Sequence, residues 1–455
     1  MIYPMDPTSA IPAILAVSTA MLTTHIIKCI FGSPKSSGRF ISIDGLRGFL
    51  AFFVFLHHAC IWYFYLRSGR WETPPSRLYT HFGQSAVSLF FMITAFLFSK
   101  KIIDTKEGEI DWLKLYVSRI LRLSPLYFVA IAILFLLVLI VSNWELNESI
   151  PRLGLGFLRW LIFTIFGAPN LNGITDTFTI IAGVTWSLPY EWAFYFFLPI
   201  FALICSKRNP RIYLALGIAS ILFIIRHPDI RYLSFLGGII AAICQKSEII
   251  IKLAPQKTSS MICLTCIIIV VLGFPEGNGP VQLILLTVFF TLIASGTNLF
   301  GILSNSTSRL LGEFAYGIYL IHGLMLFIVF NKKTGLSSAD LLTPMQHWLI
   351  TIALTPAIIL ISFLSYKFIE LPAMQQSEKL TKSIRSILFK KQKKFNCRNH
   401  ALSSDNQLPR KYISMHIKIF IVLSRIVKKI PPASEYLSIG TSHVVQHEFL
   451  ETASN

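Results

Sequence analysis

The sequence is poor in charged residues and has no regular spacing of cysteines. Only 14% of its 455 residues are charged, against about 25% in soluble domains, and 54% are hydrophobic. These values exclude an ordinary soluble or disordered chain and predict an all-α polytopic membrane protein. The seven cysteines lie mostly inside apolar runs, which argues against a disulfide framework. A lone CxxC, from Cys263 to Cys266, favours small buried side chains over a metal site.

Acidic residues are also too few to balance the basic ones, and the excess is large at the C-terminal end. The formal net charge is +19, and residues 371–455 hold 14 basic but only 5 acidic residues. A basic tail beside a membrane span is typical of a cytoplasmic segment that contacts membrane lipids, and less so of a nucleic-acid binder. We therefore predict a basic, partly disordered cytoplasmic tail over residues 373–455. Within it, residues 412–430 alternate apolar and basic side chains and predict an amphipathic surface helix.

Long apolar runs fill most of the chain before that tail. Ten of them predict about ten transmembrane helices in a domain over residues 42–372, because about 20 apolar residues cross a bilayer. A further run, 11–31, predicts an extra span in an N-terminal extension over residues 1–41, with a membrane-surface helix as the alternative. The short run 153–169 carries a charge and is expected to be an interfacial or re-entrant segment that does not cross. The ten core runs are residues 43–66, 82–99, 123–142, 181–205, 211–225, 231–245, 259–275, 281–296, 310–331 and 346–369.

Ten residues separate Arg47 from His58 in the first core run, and the stretch around them is almost wholly apolar. An ionisable residue at membrane depth costs about 2.5–3.5 kcal/mol, so it usually faces the protein interior and serves function. A spacing of eleven positions is about three helical turns, which puts both residues on one face about 16 Å apart. A fixed cation near the helix start and a titratable base further in suit an anionic reactant and a proton transfer.

Three more charged residues lie at or inside apolar runs. Arg119 and Arg122 have i, i+3 spacing and project from one helix face, so they predict a phosphate clamp. The alternative is a positive-inside anchor. Glu191 lies among aromatic residues, where a carboxylate is costly. It is expected to orient a histidine, to bind sugar hydroxyls or to pair with a buried arginine.

Aromatic and polar residues near these charges are candidates for substrate contact. Trp186 and Ser187 begin the segment that holds Glu191, and its aromatic side chains predict either a sugar-stacking wall or an interfacial belt. Tyr319 and His322 have i, i+3 spacing and share a helix face. For His322 alone, a structural hydrogen bond and a part in the chemistry are equally favoured.

Together these motifs resemble the acyltransferase-3 family of integral membrane O-acyltransferases, over most of residues 42–372. That family has about ten transmembrane helices. The chain departs from its pattern at Ala95, where glycine is usual. The tail is too short for the SGNH hydrolase-like domain of some members, and no Gly-Asp-Ser motif is present, so a stand-alone module is expected. The matching motifs are DGLRG (44–48) with Arg47-x10-His58, SLFFMITAFLFSKK (88–101), RxxR (119–122), WSLPYEWAFYFFLP (186–199), RYLSFLGGIIAA (231–242), YGIYLIH (316–322) and E-x-P (370–372).

The resemblance implies transfer of an acetyl or other acyl group from acetyl-CoA or another acyl-CoA, without a metal. The acceptor would be a hydroxyl of a cell-surface or lipid-linked saccharide such as O-antigen, and the location a bacterial inner membrane. His58 would act as general base or carry the acyl group, and Arg47 and Glu191 would complete the catalytic set. The residues expected to hold the CoA phosphates are Arg47, Arg119 and Arg122. The residues expected to bind the acceptor are Trp186, Ser187, Tyr319 and His322.

Other classes of membrane protein also bury arginine, histidine and glutamate. A transporter or flippase of a lipid-linked glycan is the main alternative, although such proteins often have repeated halves, and no internal repeat is apparent here. A membrane acyltransferase of the MBOAT group and an inactive scaffold on the same fold are the others. The DGLRG and RxxR motifs argue against the MBOAT group, and retention of the charged motifs argues against the scaffold.

Overall fold

The computed structural model describes residues 6–32, 40–105, 110–205 and 211–387. The surface helix expected at 412–430, and the basic tail beyond residue 387, lie outside the described residues. The part that is described is helical, with one isolated bridge between Leu171 and Ile174 and no named strand. The α-helices are α1 Ala10–Phe31, α2 Ile41–Ser68, α3 Arg77–Asp104, α4 Trp112–Val141, α5 Ile150–Leu161, α6 Ser187–Ile204, α7 Arg211–Arg226, α8 Tyr232–Cys244, α9 Glu248–Leu253, α10 Lys257–Gly273, α11 Pro280–Ser295, α12 Ser306–Glu313, α13 Ala315–Phe330, α14 Pro344–Ser365 and α15 Leu371–Gln375.

Six helical segments are long and apolar enough to cross a membrane, which supports an integral membrane protein. They are α1, α2, α3, α4, α6 with the turn before it, and the helical stretch that α14 begins. A seventh is reached if α12 and α13, which meet at a 64° bend, form one span. The expected count of ten core spans is therefore not confirmed. Each predicted run is helical, but α7, α8, α10 and α11 have at most 17 residues, or about 25 Å, against a hydrocarbon core of about 30 Å.

Two predictions outside the core runs concern α1 and α5. The run 11–31 forms α1, whose length and hydropathy suit a membrane span, and α1 packs against α14. The run 153–169 contributes to α5, which has 12 residues and is about 18 Å long, too short to cross. Trp160 near the end of α5 is fully buried, and its indole N–H donates to the Pro169 carbonyl at 2.9 Å.

Two compact units divide the described chain. The first comprises Met1–Trp112 and Arg119–Met374 and contains every candidate site residue. The second comprises Leu113–Ser118 and the chain from Gln375 onward. Within the second unit, Glu378 and Lys382 form an exposed i, i+4 ion pair at 3.1 Å.

Helix α2 is central to the first unit and packs against α3, α12 and α13. Its glycines allow the closest of these approaches. A Cβ at Gly45 would overlap the Leu303 carbonyl, and a Cβ at Gly48 would lie 2.8 Å from the backbone nitrogen of Gly312. The two glycines of the DGLRG motif thus seat the first turns of α2 directly on α12 and the loop before it. Arg47 lies between them, so the same close packing fixes where this arginine leaves the helix.

Candidate active site

A cavity of about 110 Å³ lies between α2, α3, α4, α6 and α13, and four of its lining residues are charged. Arg47 comes from α2, Arg119 and Arg122 come from α4, and Glu191 comes from α6. Three guanidinium groups against one carboxylate leave the lining with two net positive charges. We call it the arginine cavity. It brings together every cation that the sequence assigned to a phosphate site.

The three arginines make few direct polar contacts. Arg119 lies 4.9 Å above the ring of Phe98 and hydrogen-bonds Tyr195. None of the three takes part in an ion pair within 4.0 Å among the residues that the structure describes. Burying a cation without a close anion is unfavourable. The cavity is therefore suited to an anionic ligand that supplies the missing partners.

Glu191 is held beside the arginines and away from the histidines. Its carboxylate accepts a hydrogen bond from the Thr94 hydroxyl at 3.0 Å, and all three cavity arginines act on it electrostatically. Glu191 therefore lies within electrostatic range of the buried arginines, and it forms no ion pair within 4.0 Å among the described residues. The carboxylate offsets part of their charge when the cavity holds no anion.

Glu370 adds a second carboxylate that the sequence did not single out as a site residue. Glu370 is 2% exposed, and its Oε1 has no hydrogen-bond partner among the described residues. It lies within electrostatic range of Arg47 and Arg122. It ends a π-helical turn after α14, a feature often found at functional sites. The E-x-P motif was the available signal, but a glutamate at the end of a span also reads as an ordinary interface charge.

Two histidines from different helices form a second polar site, which we call the histidine pair. His58 Nδ1 on α2 lies 2.9 Å from His322 Nε2 on α13, and the two rings are stacked with centroids 5.1 Å apart. His322 is fully buried and His58 is 8% exposed. Trp71 stacks near the His58 ring, with centroids 6.2 Å apart. The adjacent His57 turns elsewhere, and its Nδ1 donates to the Tyr79 carbonyl at 2.8 Å.

Tyr319 lies between the arginine cavity and the histidine pair. Neither histidine lines the cavity, but Tyr319 does, and its ring centroid is 6.3 Å from that of His322. The Tyr319 hydroxyl is 2.8 Å from the Ser187 hydroxyl, which also lines the cavity, and donates to the Val184 carbonyl at 3.0 Å. Arg47 and His58, which lie on one helix, therefore belong to two neighbouring sites. Tyr319 lies between the two sites.

Trp186 is the one predicted site residue that lies in neither site. It does not line the cavity and instead stacks against Arg231, whose guanidinium is 4.7 Å from the ring centroid. Arg231 pairs with Asp229 at 2.6 Å, and Asp229 also accepts a hydrogen bond from Tyr190 at 2.8 Å. Burial alone would raise the pKa of Asp229, but the bonds from Arg231 bring that pKa below its usual value. This cluster is internally satisfied, unlike the cavity.

A family model described as an acyltransferase domain matches residues 40–367, which is well over half of the chain. Among curated proteins and solved structures, no match to the chain is found. The matched range begins just before α2 and ends just before Glu370, so it contains the cavity arginines and both histidines of the pair. It agrees with the resemblance found over residues 42–372. With its apolar helices, its charged cavity and this match, the chain belongs to the acyltransferase-3 family and is an integral membrane acyltransferase.

Proposed function

We propose that this protein moves an acetyl group from acetyl-CoA, on the cytoplasmic side, to a hydroxyl of a cell-surface or lipid-linked saccharide. One observation carries the proposal. A cavity with a net positive charge lies beside a buried histidine pair, and α2 and α13 contribute residues to both. The cavity suits a phosphate-bearing donor, and the histidine supplies a base for an acceptor hydroxyl. We also propose a bacterial inner membrane as the location.

The arginines account for binding of the donor. Arg119 and Arg122 are one turn apart on α4 and both reach the cavity, so their planar guanidinium groups can each offer two N–H groups to phosphate oxygens. The cavity volume of about 110 Å³ is below the roughly 300–1,000 Å³ typical of pockets for whole organic ligands. It therefore takes one end of the donor, and the remainder of the coenzyme lies at its mouth. Arg47 is the third cation of this donor site.

His58 accounts for the chemical step. Its imidazole takes the proton of the acceptor hydroxyl while the hydroxyl oxygen attacks the thioester carbonyl. The carbon–sulfur bond breaks, the new ester forms, and the proton passes to the departing thiolate to give free CoA. Arg47 lies about 16 Å away along the same helix, so it positions the donor and does not stabilise charge at the reacting carbonyl. Ser187 and Tyr319, between the two sites, are the contacts proposed for the acceptor.

The test replaces His58 by alanine and follows label from [14C]acetyl-CoA into the glycan fraction of membranes that contain equal amounts of folded protein. We expect labelling to fall by about 10²–10⁴-fold, the usual range for loss of a general base. His25→Ala is the control, because His25 is exposed on α1 and belongs to neither site. Unchanged labelling in H58A would remove His58 from the reaction. Movement of the label across the membrane without an ester bond to the glycan would favour a transporter.

A further inference from the structure

The hydrogen-bond partners of His322 fix where its proton lies. His322 Nδ1 is 2.8 Å from the backbone carbonyl of Ile318, one turn earlier on α13. A carbonyl oxygen only accepts hydrogen bonds, so Nδ1 must carry the hydrogen. In a neutral imidazole the other nitrogen then has a lone pair and no hydrogen. His322 Nε2 is therefore an acceptor, and it is aimed at His58.

The same argument continues to His58. Its Nδ1 lies 2.9 Å from His322 Nε2, and two lone pairs cannot bond, so His58 Nδ1 is the donor. Consequently the proton of His58 lies on Nδ1, and its Nε2 presents a free lone pair. The main-chain carbonyl of Ile318 thus selects the tautomer of His58 through one intervening ring.

We propose that His322 is a positioning residue that holds His58 as the Nδ1–H tautomer and keeps Nε2 available as the base. This inference rests on the proposed function of His58. It gives His322 a role different from the acceptor contact expected from the family motif. When Nε2 takes the acceptor's proton, His58 becomes a cation and its Nδ1–H bond to His322 becomes charge-assisted, which strengthens it at that moment. His322 takes no proton in this step and does not touch the substrate.

The expected loss of kcat follows from the chemical group that accepts the hydrogen bond from His58. Loss of a carboxylate that fixes the tautomer of a catalytic histidine costs about 10⁴-fold in kcat. His322 offers a neutral nitrogen, whose hydrogen bond is roughly half as strong as that of a charged group, so we expect a loss of about 30–100-fold. The donor site is untouched, because neither histidine lines the arginine cavity. The KM for acetyl-CoA should therefore stay within about threefold.

The experiment compares His322→Phe with His322→Gln, using [14C]acetyl-CoA and total membrane glycans as substrates. Phenylalanine keeps the ring volume but removes the acceptor, whereas the glutamine carbonyl can accept the bond from His58 Nδ1. We expect the kcat of H322F to fall by about 30–100-fold from that of the wild type. The kcat of H322Q should be about tenfold higher than that of H322F. The matched controls are His347→Phe and His347→Gln. His347 on α14 is equally buried and stacks on Phe330, with centroids 4.4 Å apart, but among the described residues its ring hydrogen-bonds the Ala59 carbonyl alone.

A double variant separates positioning from a general loss of structure. If His322 acts only through His58, H58A and H58A/H322F should have the same residual kcat. A further loss in the double variant, or equal losses in H322F and H347F per folded molecule, would overturn the positioning role. Normal kcat in H322F beside a strongly impaired H58A would overturn it as well. Normal kcat in H58A would instead reject the proposed function itself, so the two failures are distinguishable.

Discussion

The histidine pair and the arginine cavity are neighbouring sites that differ in how many of their polar groups have partners. In the pair, three of the four ring nitrogens have hydrogen-bond partners between 2.8 and 2.9 Å, and aromatic rings pack around them. In the cavity, three arginines share one lining carboxylate and form no ion pair within 4.0 Å among the described residues. The pair is complete without a ligand, whereas the cavity leaves charge for a ligand to neutralise.

Helices α2 and α13 contribute residues to both sites. Helix α2 carries Arg47 and His58, and α13 carries Tyr319 and His322. In the proposed reaction the base needs a fixed proton position, and the histidines are held by short hydrogen bonds. The proposed donor needs available guanidinium groups, and the cavity arginines form no ion pair within 4.0 Å among the described residues. Substitutions in the two sites should therefore affect different kinetic constants.

The strongest test of this separation is Arg122→Gln. Loss of a charged hydrogen bond to phosphate removes about 1.5–3 kcal/mol of binding, so the KM for acetyl-CoA should rise by about 10–100-fold. The kcat should remain within about threefold, because the histidine pair is unchanged. Initial rates at varied acetyl-CoA concentration measure both constants.

Arg77→Gln is the control for that variant, because Arg77 is exposed on α3 and donates to the Leu272 carbonyl away from the cavity. Its KM should equal that of the wild type. A fall in kcat with an unchanged KM in R122Q would show that Arg122 acts in the transition state and not in donor binding, and the comparison of the two sites would fail.

A smaller effect on the kinetic constants is expected from Gly83→Ala, which perturbs His57 beside the histidine pair and leaves the arginine cavity unchanged. A Cβ at Gly83 would lie 2.5 Å from Cδ2 of His57, so the neighbouring imidazole must shift. We expect overpacking to cost about 1–3 kcal/mol of stability and to lower kcat, with the KM for acetyl-CoA preserved. Gly154→Ala on α5 is the control, since a Cβ there meets nothing within 4 Å. Equal melting temperatures for G83A and wild type would show that His57 has room to move.

The smallest effect is expected from Asp229→Asn, which removes the carboxylate that pairs with Arg231 outside both sites. Because the pKa of Asp229 is below its usual value, the ionised form stabilises the fold above about pH 3.9, and this stabilisation is lost as the pH falls through the folded value. D229N should therefore melt slightly below wild type at pH 7, by about 0.5–1 kcal/mol, and the gap should close on acidification. The KM for acetyl-CoA should not change. A gap that widens at low pH would contradict the lowered pKa.

Local spacing in the sequence predicted what lies on one helix, and it could not predict contacts between helices. The i, i+3 spacing of Arg119 and Arg122 predicts one shared helix face, and both residues line the arginine cavity. The bond between His58 and His322 joins residues 264 positions apart, and no periodicity reports which turns of α2 and α13 meet. From the sequence Glu370 reads as an interface charge at the end of the last apolar run, whereas in the structure it is buried.

The span count shows the same limit in another form. Hydropathy measures how far an apolar run extends, but it does not report where the helix within it begins and ends. The run 231–245 has 15 residues and α8 has 13, so both are shorter than the stretch of about 20 residues that crosses a bilayer. The aromatic neighbours of Trp186 predict an acceptor contact, whereas in the structure the guanidinium of Arg231 lies over the Trp186 ring, a contact that no local spacing predicts.

The close seating of α2 on α12 has a consequence for insertions and deletions. One end of the interval between Arg47 and His58 is locked by Gly45 and Gly48 against neighbouring backbone, and the other end is locked by the bond to His322. A single added residue would rotate everything after it by about 100° and advance it by about 1.5 Å. Helix α2 could then keep one anchor but not both. The count of ten intervening residues is thus demanded by the packing of the scaffold, independently of any reaction that occurs there.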